Sequence, residues 1–227
     1  MSSIPVESVK ALDGISGISA HFFGRFPDLP IAVERSEAME LLAPFHKLLL
    51  AEADIGNYPL ITAEQVHGNL VTLVSNDTLS PIPLADGLIT KTRGLTLGIY
   101  VADCAPVWIV ARDGSVGSLV HSGKRGTDLG IVPRAIQQLL EVTSLVPGDF
   151  RLVIGPCIRP PCYETDFASR IREQALVCGI SDIHDHGTCT ACHPLQYYSY
   201  RREKGLTGRM LATLTLLPDK PYNEKGI

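Results

Sequence analysis

Three residues of this chain could hold a metal ion, and each ends or interrupts an apolar run: His67 in EQVHGN, Cys104 in VADCAPV and His121 in SLVHSGKRGT. Imidazole nitrogen and thiolate sulfur are good zinc ligands, and a His, Cys, His set fills three of four tetrahedral positions. The fourth stays open to water or substrate, as catalytic zinc requires, whereas a structural ion is normally closed by protein. The separations from 67 to 104 to 121 fit no local metal motif. On spacing alone, three separate packing roles are the simpler reading.

Several neighbours carry complementary chemistry. Asp103 could orient a ligand or act as a base, or it could serve as a turn aspartate bonding local backbone. In HSGKRGT, residues 121–127, the glycines free the backbone and Lys124 and Arg125 add positive charge. The amides of the helix that follows could receive phosphate or another oxyanion. The spacing is not that of a P-loop, and a solvated turn is the alternative.

The remaining cysteines read differently. HDHGTCTACH holds His184, His186, Cys189, Cys192 and His193, and its C-x-x-C spacing suits structural zinc. No second pair completes that motif, so the sequence favours a loop with small buried thiols. Cys157 and Cys162 flank IRPP, where two prolines favour a rigid turn with reduced thiols over a redox pair. Cys178 reads as a helix packing residue.

The elements that must position these residues follow from periodicity. Residues 18–23 read as a strand before the turn-like GRFPDLP. Apolar positions between 34 and 53 fit a helical face, with Pro44 expected to kink or divide it. Strand-like runs cover 59–63, 69–75, 95–101, 106–111 and 115–121, separated by turn residues that include PIPLADG. A helix capped at Thr127 or Asp128 should leave the basic turn, followed by the strand RLVIG, a helix over 165–178 and a last strand RMLATLTLL. This order predicts a mixed α+β fold, in a single domain over residues 1–227.

Bulk properties narrow the function. With 45% hydrophobic and 19% charged residues, the composition is globular, and a formal charge of −4 argues against nucleic acid or anionic lipid as partner. The apolar stretch 95–111 is broken by Asp103 and Pro106, so no membrane span is expected. The first residues lack the pattern of a signal peptide, which makes a cytoplasmic location the default expectation.

Taken together, QVHGNLV, ADGLIT, VADCAPVWI, VHSGKRGT, IGPCIRPPCYE and YYSYRREKGLTGR resemble the YfiH-like, laccase-domain family of purine nucleoside phosphorylases, in order, from about residue 60 to 217. The resemblance implies a mixed α+β architecture related to deamidating toxin domains, and a catalytic zinc on His67, Cys104 and His121. It further implies phosphorolysis of adenosine, inosine, guanosine or methylthioadenosine, with adenosine deamination as a second activity. The chain departs from the family in two places. The turn usually written H-A-G-W-R-G has Ser122 and Lys124 here, which replaces an aromatic side chain with a cation. The N-terminal part is short, with HFFGRFPDLP where a G-G-x-S segment is usual.

On this reading phosphate is taken by Arg125 first, with Arg25 and Lys124 behind it, and Gln65 and Ser122 complete the substrate contacts. Asp103 and Glu164 are the carboxylates available to move protons, so Asp103, Arg125 and Glu164 form the expected catalytic set. Three alternatives remain open at this point: a copper-dependent polyphenol oxidase, a hydrolase editing muramyl peptides of the cell wall, and a zinc-stabilised binding module. Copper in place of zinc is the less favoured metal, because one His, Cys, His set lacks the ligands of a multicopper centre.

Overall fold

The computed structural model describes residues 6–26, 29 and 31–219. Residues 1–5, at the head of the segment read against a signal peptide, lie outside it, as do three positions of GRFPDLP.

Among the described residues, eleven strands form two mixed sheets. The first has five: β1 (Val6–Ser8), β2 (Ile18–Phe23), β11 (Met210–Leu216), β6 (Leu95–Val101) and β3 (Leu60–Thr62), in that spatial order. The second has six: β10 (Asp182–Asp185), β9 (Phe150–Ile154), β7 (Ala105–Ala111), β8 (Gly117–Ser122), β5 (Ala85–Thr90) and β4 (Leu70–Val74). Four helices accompany them: α1 (Arg35–Glu52), α2 (Lys124–Asp128), α3 (Ile131–Glu141) and α4 (Phe167–Val177).

The central strands β5, β7 and β8 of the six-stranded sheet are buried on both faces, which is why APVWIVA of β7 is apolar without alternation. Trp108 and Val110 face a core shared with Leu97, Leu214 and Leu216 of the first sheet and with Leu42 and Leu49 of α1. Val107, Ile109 and Ala111, one residue out of step, face Ile131, Ala135 and Leu139 of α3 and Ile171 of α4. Each large apolar side chain removed from water in this way stabilises the fold by about 1.5–3 kcal/mol. The Trp108 indole N–H donates to the Thr213 carbonyl at 2.9 Å and pins the sheets together.

Four expectations are corrected. α1 is not divided at Pro44, because that residue lies on the exposed face, where water can take the carbonyl left without a donor. The basic turn does not precede a single helix: α2 already begins at Lys124 with Gly123 as its N-cap, and Gly130, at φ 72°, separates it from α3. The end of PIPLADG is not loop but the start of β5, every residue of which is buried. His184 and Asp185, read as the start of a cysteine-rich loop, instead end the edge strand β10, parallel to β9. No described helix is long and apolar enough to cross a membrane.

Candidate active site

Sheet register assembles the site. β7 and β8 are antiparallel with Ala105 opposite Ser122, so Cys104 and Gly123 meet just beyond the ladder. β8 and β5 pair with Val120 opposite Gly87, which carries His121 alongside Asp86. β4 lies beyond β5, with Leu70 beside Ala85, and the loop leading into it carries His67. Three strand junctions thus place Cys104, His121, Asp86 and His67 in one row at the same end of the sheet.

The ligand atoms of His67, Cys104 and His121 lie within 4.8 Å of one another. The two imidazoles meet edge to face with centroids 4.8 Å apart. His121 is buried, Cys104 half-buried and His67 exposed, so the cluster opens on one side. Gly123 is required by this approach: a Cβ there would lie 2.5 Å from Cys104 Sγ and 3.8 Å from His67 Cδ2. Nitrogen and thiolate donors with an open side fit a zinc-class cation.

Asp86, which sequence reasoning passed over, organises the cluster. It is fully buried, and its Oδ1 lies 2.8 Å from His121 Nδ1. A carboxylate behind an imidazole fixes the tautomer and turns the other ring nitrogen toward the cation. The same carboxylate accepts the backbone N–H groups of Val66 (3.2 Å), His67 (2.9 Å) and Gly68 (2.7 Å). Those bonds hold His67 at φ 61°, a left-handed conformation that costs about 1–3 kcal/mol for a residue other than glycine. The signal for Asp86 was present in ADGLIT, but an Asp-Gly pair behind two prolines reads as a turn.

Charge is distributed accordingly. Burial alone would raise the Cys104 thiol, yet His121 and then His67 overcome it and bring the group down to about 6. Burial would lower His121, but the Cys104 thiolate and the Asp86 carboxylate raise it to about 9. Asp86 is held below the usual carboxylate range: burial works against this, and His121 and the Gly68 and His67 amides prevail.

The cluster forms one wall of a cleft of about 830 Å³, within the usual size of small-molecule sites. Tyr100, Tyr163, Phe167 and Tyr200 supply aromatic surface, and Arg35, Lys124, Arg125, Arg201 and Arg209 supply positive charge. A family model described as multi-copper polyphenol oxidoreductase laccase matches residues 17–170 and 165–217. The chain belongs to this laccase family. Purine nucleoside phosphorylase YlmD of Geobacillus stearothermophilus is 30% identical over 192 residues, 67% of this chain and 70% of that protein. A purine nucleoside phosphorylase of Corynebacterium glutamicum is 28% identical over 185 residues, 69% and 74% of the two chains. Among solved structures, YfiH of Bacillus licheniformis superposes with a TM-score of 0.83 at 20% identity, covering 95% of this chain and 97% of that one. YlmD from Geobacillus stearothermophilus superposes with a TM-score of 0.80 at 24% identity, covering 91% and 94%.

Within this laccase-family chain the other candidate residues divide. Lys124 and Arg125 line the cleft, and Lys124 also approaches Asp128 at 3.7 Å. Arg25 does not line it: its guanidinium pairs with Glu203 at 2.5 Å and lies over the Tyr198 ring. The Ser122 hydroxyl is buried against Thr127 Oγ1 at 2.8 Å, inside the α2 turn and away from the cleft wall. Gln65 lines the cleft, but its amide is spent on the backbone of Tyr100, donating to the carbonyl at 2.5 Å and accepting the N–H at 2.9 Å. It clamps the His67 loop onto β6. Glu164 is exposed and binds Arg201, which in turn lies over the Tyr163 ring.

Asp103 is a long-range anchor rather than a local turn residue. At φ 88° its carboxylate accepts Thr190 Oγ1 (2.6 Å), Ser199 Oγ (3.0 Å) and the Arg201 N–H (2.7 Å). It therefore docks the segment 190–201 beside Cys104. Arg209 was overlooked although it ends the quoted motif. Buried, it donates to the Thr207 and Gly208 carbonyls, and its acidity is increased first by burial and then by the charge of Arg35. Arg35 is likewise aimed by backbone, donating to the Glu64 carbonyl at 2.9 Å. Neither arginine has a carboxylate partner among the described residues.

Proposed function

We propose that this chain is a zinc-dependent purine nucleoside phosphorylase, acting on adenosine, inosine, guanosine or methylthioadenosine with phosphate as co-substrate. The observation that carries the reading is the convergence of His67, Cys104 and His121, backed by Asp86, on a cleft that has both aromatic and cationic walls. The names of the relatives agree with it. Zinc held by these three residues would supply a Lewis-acidic centre with one open position.

The chain's own residues divide the remaining work. Phosphate oxygen forms a bond to the ribose anomeric carbon while the glycosidic carbon–nitrogen bond breaks, and the purine leaves with the electron pair and takes a proton. An anion must be held close to that carbon. Arg125 remains the candidate at the mouth, and Arg35 and Arg209 form a second cationic wall whose mutual repulsion an anion relieves. Tyr163, under the Arg201 guanidinium, and Tyr200 supply aromatic surface for the purine, where the family's aromatic at position 124 is replaced by Lys124.

Adenosine deamination is the second proposed activity at the same cleft. Phosphorolysis is favoured over it because both carboxylates named for proton transfer are engaged, Asp103 by three donors and Glu164 by Arg201. A polyphenol oxidase is disfavoured by the donor set: the one other metal-capable cluster among the described residues has three sulfurs and no histidine.

The test is chromatography of zinc-loaded protein with each nucleoside, with and without phosphate, alongside metal content and nucleoside binding by calorimetry. Phosphate-dependent release of free base and sugar 1-phosphate is expected. Metal and nucleoside binding without turnover would mark a binding module, and turnover of muramyl peptides or phenols in place of nucleosides would overturn the reading.

A further inference from the structure

A second cluster of donor side chains lies beside the cleft, in residues to which the proposed function gives no role. The Sγ atoms of Cys162, Cys189 and Cys192 are all within 4.8 Å of one another, and those of Cys162 and Cys192 are 3.1 Å apart. A tetrahedral thiolate site with zinc–sulfur bonds of about 2.3 Å has sulfur–sulfur edges of about 3.8 Å. The Cys162–Cys192 separation of 3.1 Å is below that edge, and all three sulfurs fall within 4.8 Å of one another, so small side-chain shifts reach it. The histidines that the sequence placed beside Cys189 and Cys192 are elsewhere: His184 binds Asp182, His186 approaches Glu7, and His193 Nδ1 lies 3.0 Å from the Cys189 carbonyl. The third ligand comes instead from Cys162, across the fold.

We propose that Cys162, Cys189 and Cys192 form a second, structural site for a thiophilic d10 cation of the zinc class, with the fourth position open to solvent beside the exposed Cys192. Thiolate donors select such cations over hard ones. Local scaffolding supports the site. Cys157 and Cys189 form a one-residue parallel bridge, with the Cys157 N–H on the Thr188 carbonyl and the Thr190 N–H on the Cys157 carbonyl, both at 3.2 Å. Three thiolates around a divalent ion leave net negative charge. Arg202 lies next to the turn, donating to the Ala191 carbonyl at 3.0 Å, with no carboxylate partner among the described residues.

The site would staple two walls of the cleft. Cys162 precedes Tyr163, and Cys192 ends the turn whose Thr190 is held by Asp103. It does not depend on the proposed reaction, so either can fail alone.

The experiment is zinc stoichiometry on reduced, full-length protein after dialysis, combined with mass-spectrometric mapping of cysteine alkylation. Wild type should hold two equivalents, and His67→Ala, Cys162→Ser and Cys192→Ser one each. Cys162, Cys189 and Cys192 should resist alkylation until a chelator is added. One equivalent in wild type that Cys192→Ser leaves intact would overturn the proposal. So would alkylation indifferent to zinc, or a Cys162–Cys192 disulfide that forms in air and excludes zinc. Because Cys192 is exposed and Cys162 half-buried, both serine variants should fold, and alkylation of wild type decides the matter if one does not.

Discussion

The two metal-capable clusters differ in what stands behind them. His67, Cys104 and His121 are backed by a buried carboxylate and open onto a large cleft, while Cys162, Cys189 and Cys192 are gathered from two loop segments, with Cys192 exposed to solvent. A carboxylate behind a ligand tunes and aims it; a ring of sulfurs held by turns ties loops together. The contrast suits the first cluster to the proposed chemistry and the second to the proposed structural role.

The largest effect should come from removing a ligand of the first. Cys104→Ala should lower kcat/KM for nucleoside phosphorolysis on the order of 10³-fold, about 4 kcal/mol of transition-state stabilisation. Metal analysis should show one equivalent lost. If activity survives, the cluster is not the reacting centre and the contrast collapses.

Gly123→Ala is next. The backbone there is ordinary, φ −91°, so only space is at stake, and the added methyl falls 2.5 Å from Cys104 Sγ. Zinc affinity, measured by competition with a chromogenic chelator, should fall by about 100-fold, near the upper end for a disturbed ligand shell. An unchanged affinity would show that Cys104 need not stay where the register places it.

Asp86→Asn should cost about 10- to 100-fold in metal affinity or activity, with kcat falling more than the nucleoside KM rises. It should also lower the Tm, because the His67 loop loses part of its anchor. A change in Tm alone would reduce Asp86 to scaffolding.

The smallest effect belongs to the second cluster. Cys192→Ser should leave kcat within about threefold of wild type while lowering the Tm by about 2–4 °C, the shift expected for about 1 kcal/mol in a chain of this size. A large loss of kcat with normal first-site metal would erase the distinction between the clusters.

Much of the scaffold was legible in sequence because its signals are local. Apolar runs and turn residues marked eight of the strands, and His67, Cys104 and His121 were visible as possible donors near strand ends, although their spacing alone did not join them. β5 was lost because Asp86, Gly87 and the prolines before it carry turn chemistry, although β4 and β8 flank it and bury it completely. The cationic wall was half legible: Arg125 stands in a conspicuous turn, while Arg35 and Arg209 look like ordinary helix and loop residues until backbone carbonyls aim them.

By itself the sequence determined which donor atoms exist, their position at strand ends and the mixed α+β character, because residue chemistry and hydrophobic period are written in neighbouring positions. Only the tertiary structure decided that Asp86 stands behind His121, that Asp103 anchors segment 190–201, and that Cys162 joins Cys189 and Cys192. Those meetings depend on sheet order and register between segments tens of residues apart, and no local pattern encodes that pairing.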